Sequence, residues 1–263
     1  MSRPLHAEDR FTSRELAVAA ELTPRNVSLL IEQGLAPPAA EGEGGRGGHR
    51  SYDGVGLGAI ALLGAFYKAG MELLVAARLA GAMAEEYRFT KGRLPSNLQT
   101  YLQRPLNPTP GRTPWGRDLP QFDLDDDYWL HNRLRFHTEI YKPWMALRGD
   151  MVVEIVDQTY VLTRWHNLEI GVFSPVSNTM PASPEYRITG RGGDARIAPI
   201  HEGLKSFDFS VDRESADALR EQEAAYLHAH ENAVTRLRIN VGLAIRNSLD
   251  RLVDDRAERR KAA

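Results

Sequence analysis

Three side chains able to read a base edge, Arg25, Asn26 and Ser28, lie within one helical turn of each other. Arginine offers two parallel donors to the guanine edge, asparagine pairs bidentately with adenine, and serine serves either. Ser28 is equally readable as a small solvated residue. Further on, Gly45-Arg46-Gly47-Gly48-His49-Arg50-Ser51-Tyr52 gathers cationic and hydroxyl donors in a glycine-rich arm. Arg46, His49, Arg50 and Tyr52 there suit phosphate oxygens, which position a protein on a duplex without specifying sequence. Tyr52 has a second reading, as a packing residue at the base of the arm. Arg14 is a further candidate for backbone phosphate. The chemistry these residues share is nucleic-acid recognition.

Such groups need rigid elements to aim them. Thr12-Ser13-Arg14-Glu15 is a capping-box pattern that opens a helix over about 13–21, with Leu16, Ala19 and Ala20 facing inward. Thr23 is a good N-cap, and Pro24 fits the first helical position, where its missing N–H costs nothing. Gly34 supplies a left-handed stop, so the second helix spans about 24–33. Two short helices joined by a tight turn make a helix-turn-helix, with residues 36–52 as a hairpin wing. A third helix runs from Asp53 or Val55 to Ala69 on Leu57, Ile60, Ala61, Leu63 and Phe66. Gly58 and Gly64 weaken it, each by about 1 kcal/mol relative to alanine. A fourth spans Met71 to about Glu86.

Over residues 11–82 these pieces resemble the MerR family of bacterial transcription regulators. The likeness rests on Phe11 to Ala17, on Thr23-Pro24-Arg25 through Gln33-Gly34-Leu35, on Gly48, Arg50 and Tyr52 in the wing, and on Ala69-Gly70-Met71-Glu72-Leu73. It implies a winged helix-turn-helix that binds a pseudo-palindromic promoter as a homodimer and acts on RNA polymerase indirectly. It also implies a phosphate contact at Lys68, which otherwise reads as a solvated helix end. The family's arginine followed by two aromatics is replaced here by Ser28, Leu29 and Leu30. The chain has no cysteine, so it lacks the thiolate ligands on which the family's metal and redox sensors depend.

Beyond the head, 42% hydrophobic and 26% charged residues are globular values, which the 263-residue length can divide into two domains. No apolar run suits a membrane span or secretory signal, so the expectation is a cytoplasmic protein. A net charge of −2, with six arginines against eight acidic residues before Gly54, makes DNA affinity depend on clustered arginines. The expected organisation is a disordered leader over 1–10, a head over 11–88, a Pro/Gly-rich linker over 89–121, and an α+β effector or interaction domain over 122–211. A long helix over 212–258 follows, making the fold mainly α with a small β component.

Within the second domain, Met151–Trp165 reads as one strand, His166-Asn167 as a turn and Leu168–Phe173 as the next strand. Gly190 to Asp194 reads as a hairpin turn; without a following helix it makes a poor phosphate cradle. Trp144, Glu154 and Trp165 could line a pocket for a cationic effector, although core packing explains the tryptophans equally well. Apolar residues at Val234, Leu237, Val241, Ile245, Leu249 and Leu252 are spaced by three and four. A helix of about 45 residues would reach roughly 65–70 Å, more than a small domain covers, so the stripe predicts dimerisation; two shorter helices folding back is the alternative. No spacing implies a metal, a cofactor or catalysis. The reading is a DNA-binding regulator controlled by a small-molecule or protein effector. The rivals are an excisionase-like architectural DNA-bending protein and a DNA-addressed protein-docking module.

Overall fold

The computed structural model describes residues 9–37, 39–40, 51–91, 150–167, 172–173, 186–199, 221 and 224–262. Strand β1 (Phe11–Thr12) runs directly into helix α1 (Ser13–Ala20). The expected capping box closes it: Thr12 Oγ1 accepts from Glu15 N at 3.2 Å, and Glu15 Oε2 accepts from Thr12 N at 2.9 Å. Helix α2 (Pro24–Glu32) starts on Thr23, whose hydroxyl accepts from Asn26 N at 3.2 Å. Gly34, at φ +66°, then turns the chain out of α2. Strand β2 (Ser51–Tyr52) pairs antiparallel with β1, setting Tyr52 opposite Phe11.

Helix α3 (Gly54–Lys68), capped by Asp53, is buried almost all round, and α4 (Leu73–Lys91) packs along it. Gly64 has a role that helix propensity alone does not show. A Cβ at that position would lie 2.4 Å from the carbonyl oxygen of Ala20 and 2.9 Å from its Cα. Glycine therefore lets α3 touch the backbone of α1.

The rest of the described chain is built around an antiparallel sheet. Its strands are β3 (Asp150–Val156), β4 (Tyr160–Asn167), β5 (Val172–Phe173), β6 (Tyr186–Thr189), β7 (Arg196–Pro199) and β8 (Arg236–Asn240). The order is β7-β6-β4-β3-β8, with β5 beside β4. The fold is thus mixed, helices packed with an antiparallel sheet.

Two sequence-based expectations are corrected here. The stretch Met151–Trp165 is a hairpin, not one strand. It reverses at Asp157 and Gln158, both left-handed (φ 47° and 53°), with Thr159 N donating to Val156 O at 2.8 Å. His166 and Asn167, expected to turn, instead end β4 and pair with Phe173 and Val172. The second correction concerns the long C-terminal helix. Among the described residues it breaks into helix α5 (residues 224–231), strand β8 and helix α6 (Val241–Ala262). Sheet pairing overrides helical spacing, because Leu237 and Ile239 alternate with polar residues and lie opposite Ile155 and Val153 on β3. The Asp157 carboxylate fixes the entry to β8 by accepting from Thr235 N at 2.7 Å, and Asn240 Oδ1 caps α6 by accepting from Leu243 N at 2.8 Å.

One continuous core holds this together. Val153, Ile155, Val161 and Ile239 on one sheet face join the same apolar cluster as Leu16, Leu30, Leu63 and Phe66 of the head. Helix α6 packs on α1, α3 and β3, burying Val241, Ile245 and Leu252. The stripe expected to dimerise is therefore largely covered by its own chain from Leu237 onward, although Val234 at its start is 92% exposed. On the opposite sheet face, Val156, Tyr160 and Leu162 pack with Tyr226 of α5.

Candidate nucleic-acid interface

Helix α2 buries only Val27 and Leu30. Arg25, Ser28, Leu29 and Glu32 recur at three- and four-residue intervals on its exposed side, and Asn26 is half-buried at its edge. Pro24 and the Thr23 cap fix the first turn, so Arg25 and Asn26 project from its most ordered point. Leu30, standing where the MerR pattern has an aromatic residue, is fully buried, while Leu29 is 36% exposed. The outer face thus carries a cation, a hydroxyl and an apolar residue, with Glu32 at its far end.

The base of the expected wing is closed by one backbone hydrogen bond. Ala40 N donates to Ser51 O at 2.9 Å, drawing the two ends of residues 41–50 together against β1 and β2. Arg46, His49 and Arg50 fall within that segment, outside the described residues. Tyr52 is 1% exposed and packs in the core, so its ring supports the wing base and touches no phosphate. That removes it from the contact set and favours its second reading.

Arg14 and Lys68 are both paired within the chain. Arg14 makes a two-pronged bond to Asp255 of α6, at 2.8 and 3.2 Å. Lys68 Nζ lies 2.7 Å from Glu21 Oε2. The Lys68 contact lowers the Glu21 carboxyl against a smaller opposing effect of burial, with Arg251 adding to the lowering. Each cation therefore already has an acidic partner within the chain.

The bond to Asp255 belongs to a larger network that no sequence motif signals. Arg256 Nε and Arg259 reach the buried carboxylate of Glu15 at 2.8 and 3.0 Å. Arg251 caps the end of α1 by donating to the carbonyls of Val18 and Ala19. Burial pushes the Glu15 carboxyl up, but the Arg256 bond, the Thr12 N–H and Arg259 together outweigh it. The result is a fall from the ordinary 4.5 to about 2.

Of the expected effector trio, only the Glu154 side chain lies among the described residues. That residue is 8% exposed on β3, beneath α5, with Oε1 3.5 Å from His230 Nε2. Tyr226 stands against both Tyr160 and His230. Trp144 and the side chain of Trp165 lie outside the described residues; the Trp165 backbone pairs with Met151. The Gly190–Asp194 turn is a latch on α4. Gly192 N donates to Glu72 Oε2 at 2.7 Å, and Arg78 donates to Gly193 O at 2.5 Å. Tyr186 adds a short hydrogen bond to Glu86.

Among the described residues, no cluster of His, Asp or Glu could hold a metal ion, and no helix is long and apolar enough to cross a membrane. Comparison with protein-family models, curated proteins and solved structures finds no match.

Proposed function

We propose that this chain is a sequence-specific DNA-binding regulator of the MerR type, reading a promoter half-site through the exposed face of α2. The observation that carries the reading is the exposed outer face of α2, on which Arg25 and Ser28 stand with Asn26 at its edge. A helix tip bearing Arg25, Asn26 and Ser28, followed in the sequence by a basic, glycine-rich stretch whose flanking residues Ala40 and Ser51 are hydrogen-bonded, suits a recognition helix in the major groove and a wing on flanking phosphate. With no broad basic field, affinity comes from few contacts and gains from two copies on a pseudo-palindrome. Because the stripe of α6 is used within the chain, the dimer contact belongs to another surface.

The test is a binding titration with the duplex upstream of the chain's own gene, against a scrambled duplex, over a salt series. Preference for the first with a steep salt slope is the expected outcome; equal, weak binding to both overturns specific regulation. Arg25→Ala should relax discrimination at one base pair per half-site, costing about 1–3 kcal/mol. Arg50→Ala should weaken all sequences alike and reduce the salt slope by about 1. The architectural alternative predicts bending without sequence preference.

A further inference from the structure

A cleft of about 530 Å³ opens between the exit of α2, helices α3 and α4, and the β6–β7 hairpin. Its size lies within the usual range for small-molecule sites. Leu63, Ala77, Ala80, Ala84 and Ile197 give it an apolar floor. Among the described residues, Arg78, Arg88 and Arg196 stand around it with a single acid, Glu85, an excess of positive charge. Arg78 is anchored by its bond to Gly193 O, yet its Nε is buried without a hydrogen-bond partner among the described residues. A buried donor in that state calls for an acceptor. Gly81 also lines the cleft, and a Cβ there would meet no atom within 4 Å.

We propose that this cleft binds a small organic anion, a carboxylate or phosphate monoester with an apolar tail. The anionic head is held by Arg78 and Arg196, with Arg88 adding charge, and the tail lies along the alanine-rich face of α4. Guanidinium groups suit both heads because their paired donors match two acceptor oxygens. Glu85 disfavours a second negative charge on the tail side.

Isothermal titration calorimetry of the full chain with octanoate, octyl phosphate and octylamine tests this without DNA, so its failure and that of the DNA-binding reading are separable. Saturable binding of at least one anion, with none of octylamine, is expected. Arg196→Gln removes an exposed head contact and should weaken binding about tenfold. Gly81→Leu fills the cleft from a position with room for a side chain and should abolish binding, while circular dichroism shows the fold retained. Three results would overturn the site: neither anion binds the folded protein, octylamine binds as tightly, or both folded variants bind like the parent.

Discussion

At the scale of single residues, Glu15 carries the most. Its carboxylate closes the capping box of α1 and receives two arginines from a helix more than two hundred positions away. Because its folded pKa lies near 2 against an ordinary 4.5, the stabilisation is fully present above about pH 4.5. It is lost as pH falls from there towards 2, and the shift corresponds to about 3 kcal/mol. Glu15→Gln should therefore lower the urea midpoint at pH 7 and flatten its fall between pH 4.5 and 2. An acid limb as steep as the parent's would mean that other carboxylates dominate. Sequence alone revealed the local half of this residue, since Thr12 and Glu15 stand at capping-box spacing. It was silent about Arg256 and Arg259, because no local spacing links them to a residue more than two hundred positions away.

Elements differ in how openly the sequence announces them. The first two helices were legible to within a residue or so because Thr12, Thr23, Pro24 and Gly34 mark their ends with chemistry that has few other uses. The reversal at Asp157-Gln158 was missed because no glycine marks it, although aspartate tolerates the left-handed region. Strand β8 was missed for a different reason: Leu237 fits a helical stripe with Val234 and Val241 as well as it fits strand alternation with Ile239. Only β3, as a partner, decides between them.

Two glycines in adjacent helices make the same point in opposite directions. Gly64→Ala drives a Cβ into the backbone of Ala20 and should destabilise by about 1–3 kcal/mol. Gly81→Ala meets open space and should stabilise by up to about 1 kcal/mol. Thermal melts of the pair check both signs, and a neutral Gly64→Ala would mean that α1 and α3 slide apart cheaply.

For the whole molecule, the decisive feature is that α6 completes the packing of α1 and α3. Deleting residues 241–263 should leave the apolar faces of both helices open. We expect loss of cooperative unfolding by circular dichroism, rather than a folded head with an altered oligomeric state. A truncated protein that still melts sharply would show that the first ninety residues are self-sufficient, as a separate head domain requires. The sequence suggested such a separation because prolines crowd between Pro95 and Pro120, and composition does not record that the chain returns to the head afterwards.

That return also sets an order of events at the ribosome. The partners of Glu15 are made late, about 150 residues after α4 is finished. At ordinary elongation rates the nascent head waits on the order of ten seconds for them. During that interval the surfaces destined for α6 are open to chaperones or to neighbouring chains. A product released before residue 241 carries every residue proposed to meet DNA and lacks the helix that packs on α1 and α3.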